Sequence, residues 1–146
     1  LAGLARAGSV LSRSRLFRSR AVGPPQPDYL NAAVLLRWRD DLSSLLELCH
    51  ELEAAAGRDR RREARWGPRP LDLDLLIADG IVCRGPRLVL PHPRLAERAF
   101  ALLPAAEVAS DWVHPLLGET LTGLAARCPG REELQCLGVW SDPAPG

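Results

Sequence analysis

Residues 71–77 read LDLDLLI, an alternation that leaves the backbone few options. In an extended strand successive side chains point to opposite faces, so Leu71, Leu73 and Leu75 share one face and Asp72 and Asp74 the other. The spacing predicts a strand over 71–77 with its leucines turned toward a core. Two residues of rise put the carboxylates about 6.6 Å apart along the strand. Carboxylates so placed repel unless water or a cation lies between them. The pair is therefore a solvated strand face or a platform for a divalent metal ion, and the alternation alone admits both.

The stretch just before it, RDRRREARWGPRP, sets six arginines against Asp59 and Glu63, a local charge of +4. Carboxylates that hold magnesium beside arginines that neutralise phosphate charge are what nucleotide chemistry needs. A solvated loop is the competing reading. It draws weight from composition, because all 19 basic residues are arginine and an arginine here can stand where another chain has lysine.

The rest of the chain alternates strands and helices without a regular βαβ rhythm. Residues 1–7 read as the end of a helix closed near Gly8, 9–19 as an edge strand, 20–28 as a proline-rich loop and 29–38 as a strand. Residues 40–57 form the clearest helix, with an aspartate cap, apolar positions Leu42, Leu45, Leu46, Cys49 and Leu52, and Gly57 as the stop. Asp79-Gly80 predicts a hairpin turn after strand 71–77, followed by a short strand at 87–90. Helical spacing resumes in PHPRLAERAFALLPAAEVA, interrupted at Pro104, and again over 120–127. ELQCLGVW suggests a closing strand, and 141–146 a disordered tail. This order predicts an α+β fold with a largely antiparallel sheet, as one domain over 1–140.

At 146 residues and 47% hydrophobic content the chain can bury one core. A net charge of +1 and 5% aromatic residues argue against a nucleic-acid binder, and no apolar run has the length of a membrane span. The four cysteines show no CxxC pair and no zinc-type spacing to His50, His92 or His114, which suits reduced thiols in the cytoplasm.

Two further stretches offer chemistry. In LPHPRLAERAF, His92 lies between prolines and is a phosphate donor or a turn residue. In PDYLNAAV, Tyr29 and Asn31 share a strand face, and they suit a flat ring and its amide edge, or a core tyrosine and a strand-end polar residue.

Taken together, QPDYLNAAV, RWGPRPLDLDLL and LPHPRLAERAF closely resemble the 6-hydroxymethyl-7,8-dihydropterin pyrophosphokinase family of folate biosynthesis. The middle stretch matches that family's signature nearly residue for residue, and the similarity runs from about Ser12 to about Leu124. The resemblance implies a ferredoxin-like sandwich and an enzyme that moves diphosphate from ATP to the pterin's hydroxymethyl group, releasing AMP. It assigns Asp72 and Asp74 to two magnesium ions across the ATP phosphates. It gives Arg69, Arg61, Arg62 and Trp66 to the catalytic loop, and Glu53, Arg58, Arg87, His92 and Arg98 to the nucleotide. Tyr29 and Phe100 would sandwich the pterin, Asn31 would pair with its polar edge, and Ser19 and the backbone near Val22 would close the pocket. ATP and the pterin are the only partners implied, acting on a monomer, with no nucleic acid and no membrane.

Two departures stand out. Pro93 replaces an aromatic residue often found after the histidine, and the family's opening strand with its Gly-Ser-Asn turn has no counterpart in these residues. An N-terminally incomplete domain is expected, and a truncated remnant serving as a non-catalytic interaction module is the alternative function.

Overall fold

The computed structural model describes residues 2–5, 8–19, 28–57 and 71–140. After a short helix α1 (Ala2–Ala5), four strands form a kinked hairpin: β1 (Gly8–Arg13), β2 (Leu16–Ser19), β3 (Tyr29–Asn31) and β4 (Val34–Trp38). β1 runs antiparallel to β4 with a bulge between Val10 and Ser12, and β2 antiparallel to β3, with Phe17 opposite Asn31 and Ser19 opposite Tyr29. The single strands expected over 9–19 and 29–38 are thus each broken in two. Ser14 causes the break. Its N–H donates to the Ala33 carbonyl at 2.8 Å, but its side-chain Oγ, not its carbonyl, accepts the Ala33 N–H at 2.8 Å. The ladder is interrupted there and the chain bends.

Nor is this stretch wholly an edge. The closing strand β7 (Gln135–Gly138) pairs with the free side of β2, giving the order β3-β2-β7. An alternation of side chains reports faces and carries no information about which edges are covered.

Helix α2 (Leu42–Gly57) starts and stops as the sequence predicts. The Asp41 carboxylate caps it, accepting the Ser44 N–H and the Ser44 hydroxyl, each at 2.8 Å. Leu45 and Cys49 are its buried residues.

The strand expected over 71–77 is not formed. The two faces survive, since Leu71, Leu73 and Leu75 are half-buried while Asp72 and Asp74 are exposed, but the segment has no ladder among the described residues. Its backbone is tied at separate points: Leu73 N–H to the Glu53 carboxylate and Leu76 C=O to the His92 N–H, both at 2.7 Å. The Asp79-Gly80 turn is present, with Ile81 N–H on the Ala78 carbonyl at 3.0 Å and Gly80 at φ 69°, but it does not join paired strands. The hairpin forms further on. β5 (Cys83–Arg84) pairs with β6 (Val89–Leu90), so the strand expected at 87–90 is shortened by the reversal at Gly85-Pro86.

After a 3-10 turn over Leu95–Glu97 comes α3 (Ala99–Val108), apolar on nearly every face and therefore buried. It runs through Pro104 without ending there. The proline removes the N–H that would reach the Phe100 carbonyl, and complete burial of its ring in the core offsets that loss. Helix α4 (Leu121–Ala126) is capped by Thr120, whose Oγ1 accepts the Gly123 N–H at 3.1 Å. Leu95, Leu102, Leu121 and Leu124 form the core between α3 and α4, each burial contributing roughly 2 kcal/mol, and Leu76 and Ile77 pack against it. The other side of α3 lies on β1–β4.

The α+β class is borne out, with every strand pairing antiparallel. The arginine-rich loop 58–70, most of the proline-rich loop 20–28 and the tail 141–146 fall outside the described residues.

Candidate active site

A cleft of about 400 Å³ opens between the second half of α2, the 71–75 segment, the β5–β6 hairpin and the His92-Pro93 turn. Glu53, Asp72, Asp74, Arg87 and His92 all line it. Five side chains from four separate stretches of chain thus meet in one place. The geometry adds His50, which the motifs missed. Its place three residues before Glu53 on an exposed helix face was the available signal.

His92 is set by its own turn. Its Nδ1 accepts the Arg94 N–H at 3.3 Å, so the neutral ring carries its hydrogen on Nε2 and can donate to an anion. Cys49 is buried on α2, one turn before Glu53; burial pushes its thiol above the ordinary value, and the charges of Glu53 and Asp74 push it the same way. The acidic side of the cleft therefore concentrates negative charge, with Arg87 on the hairpin as a cation of the same cleft.

Among the described residues, no group of three or more His, Cys, Asp or Glu side chains has a metal-holding arrangement. Two carboxylates on one face remain a fit for magnesium, a hard cation usually bound through one or two carboxylates, water and substrate phosphates.

A second group of predicted residues lies on the sheet and the start of α3, none of them lining the cleft. Ser19 and Tyr29 face each other across β2 and β3, and the Asn31 amide donates from Nδ2 to the Ser19 hydroxyl at 3.1 Å. Tyr29 is 43% and Phe100 40% exposed, unusual for rings beside a core. The Arg98 guanidinium stands 5.8 Å from the Phe100 ring centroid and does not line the acidic cleft. Val22, Arg58, Arg61, Arg62, Trp66 and Arg69 lie outside the described residues.

A family model described as 7,8-dihydro-6-hydroxymethylpterin-pyrophosphokinase matches residues 1–110. A Synechocystis protein named 2-amino-4-hydroxy-6-hydroxymethyldihydropteridine pyrophosphokinase is 43% identical over 133 residues, covering 91% of this chain and 64% of the relative. Proteins of the same name from Methylorubrum extorquens and Bacillus subtilis are 44% and 39% identical over 119 and 104 residues, covering 81% and 70% of this chain and 73% and 61% of the relatives. The chain thus spans about two thirds of the length of the curated relatives it matches.

Proposed function

The chain belongs to the 7,8-dihydro-6-hydroxymethylpterin-pyrophosphokinase family, and on that premise we propose that it transfers diphosphate from ATP to the hydroxymethyl group of 6-hydroxymethyl-7,8-dihydropterin, for folate biosynthesis. The observation that supports this most directly is the meeting of Asp72, Asp74, Arg87 and His92 in one cleft. The pterin hydroxyl oxygen attacks the β-phosphorus, the bridge between the α- and β-phosphorus breaks, and AMP leaves with the bridging oxygen.

Such a displacement demands positioning and charge neutralisation more than covalent chemistry. Asp72 and Asp74 are the residues that would hold magnesium, as two ions, and the metal would supply charge neutralisation and orientation of the phosphates. Arg87 and the Nε2–H of His92 bind phosphate oxygens, and Glu53 and Arg58 complete the nucleotide side. Arg98 serves the same side from its place beside the pterin pocket. Arg61, Arg62, Trp66 and Arg69 cover the reacting groups. Tyr29 and Phe100 hold the pterin ring between them, with Asn31 on its amide edge and Ser19 and Val22 at its margin.

The acting unit is a monomer with one pyrophosphokinase domain over 1–140. Cytoplasmic placement draws support from four cysteines that are free thiols, and no described helix is long and apolar enough to cross a membrane. Nothing in the described residues or the relatives favours a non-catalytic interaction module.

Incubation with ATP, magnesium and the reduced pterin tests the proposal. AMP and pterin diphosphate in equal amounts are expected. ADP in place of AMP, or no nucleotide product, would overturn it.

A further inference from the structure

We propose that Glu53 is a positioning residue that sets the direction of Asp72 and Asp74 by gripping the backbone between them. The role rests on the pyrophosphokinase reading, since it matters for the rate only if the two aspartates act there. Glu53 Oε2 accepts the N–H of Leu73, the residue between the aspartates, at 2.7 Å across 20 positions of sequence. In extended backbone the N–H lies roughly perpendicular to the side chains on either side. Fixing the Leu73 N–H therefore fixes the rotation of the segment about its long axis, and with it the direction in which both carboxylates face.

Within a sheet, neighbouring strands would fix that rotation. Here residues 71–78 have no ladder among the described residues. The Leu76 carbonyl is held by the His92 N–H, and Leu76 and Ile77 pack on the core, so the downstream end is secured. The Glu53 bond secures the upstream end, and its own base is firm because Leu45 and Cys49 bury α2. The chemistry of the group also points to positioning. A third carboxylate beside Asp72 and Asp74 is electrostatically unfavourable, whereas a chain long enough to bring an acceptor oxygen to Leu73 N–H is what the geometry uses. An amide of equal length would serve, and a shorter carboxylate would not reach.

That difference makes the test. Glu53→Gln keeps the reach and loses the charge, and Glu53→Asp keeps the charge and loses the reach. The full chain of each is compared with wild type by amide exchange at Leu73, by Mn2+ binding without nucleotide, and by turnover. In Glu53→Asp, Leu73 exchange should accelerate at least tenfold while the α2 amides up to Cys49 stay unchanged. Mn2+ should bind severalfold more weakly, and kcat should fall about tenfold or more. Glu53→Gln should restore Leu73 protection and exceed Glu53→Asp in kcat by about tenfold.

Equal losses in the two variants, or better turnover in Glu53→Asp, would mean that the charge acts directly and would overturn the proposal, as would Leu73 exchange that is the same in all three proteins. Absence of AMP from wild type would overturn the pyrophosphokinase reading instead, leaving Leu73 exchange and Mn2+ binding to decide the role of Glu53.

Discussion

Trp140 donates its indole N–H to the Ser14 carbonyl, 2.8 Å away and 126 positions earlier in the chain. The carbonyl is free for it because Ser14 meets Ala33 through its hydroxyl. The same ring lies 4.9 Å beneath the Arg13 guanidinium, and next door the Glu107 carboxylate of α3 accepts the Arg15 backbone N–H at 2.9 Å and its guanidinium at 2.6 Å. The kink between β1 and β2 is thus clasped from both sides.

Trp140→Phe keeps a ring under Arg13 and removes the donor to Ser14. A loss of about 1 kcal/mol is expected, and Trp140→Ala should lose more, about 2–3 kcal/mol, by also removing buried ring surface. Urea unfolding of the two variants checks the order. Equal stability in all three proteins would mean the clasp contributes nothing.

Asp72→Asn and Asp74→Asn should each lower turnover by at least about a hundredfold while leaving the fold intact. Each removes a charge with little change of shape, and both side chains are exposed, so packing is spared. Wild-type-like turnover in either variant would remove that residue from the catalytic assignment.

Arg98→Lys retains charge but loses the planar guanidinium beside Phe100. A tenfold fall in kcat/KM is expected, about 1.4 kcal/mol of transition-state stabilisation. Arg37→Lys, at an exposed position on β4, should be silent. If both substitutions have the same small effect, the Arg98 assignment reflects only the arginine-rich composition.

His114 is 5% exposed, and its Nδ1 accepts the N–H groups of Leu116 and Leu117, each at 3.2 Å. Burial lowers its pKa below the ordinary histidine value, partly offset by a backbone hydrogen bond. The unfolded chain then takes up this proton at a higher pH than the folded one, so the contribution of His114 is complete above about pH 6.5 and is lost as pH falls toward the lower folded value. Stability should drop as pH falls below about 6.5. His114→Ala should lower stability by about 1–2 kcal/mol at pH 7.5 and flatten that drop. A pH profile unchanged by the substitution would assign the drop to other groups.

What the sequence made legible was whatever local chemistry determines. The Asp41 cap and Gly57 stop placed α2, helical spacing placed α4 within 120–127, and the alternation at 71–75 placed the leucines and aspartates on opposite sides as observed. What stayed hidden depends on partners distant in sequence. The break at Ser14 requires knowing that Ala33 lies opposite, the central place of β2 requires β7, and the unladdered state of 71–78 is a property of its neighbours. At the site, Glu53, Asp72, Asp74, Arg87 and His92 were named from sequence and line one cleft, but His50 was missed and the separation of Arg98 from that cleft was not foreseen. Arg98 reads as one more arginine of the acidic cleft, whereas the structure sets it over Phe100. Glu53 reads only as a nucleotide-side residue in the sequence, and the structure adds its bond to Leu73.

Because Phe17 on β2 is flanked by Asn31 on one side and Cys136 on the other, the ladder that presents Ser19, Tyr29 and Asn31 is completed only once residues 135–138 have been made. On the ribosome, β2 and β3 emerge early and can pair at once, but the second edge of β2 stays open while every later helix is still being made. An open edge is a template for wrong partners, and contacts so far apart in sequence form slowly. The nascent chain therefore passes through a stage in which the strands that carry Ser19, Tyr29 and Asn31 exist with one unpaired side, and chaperone demand during production should depend on how fast β7 arrives to cover it.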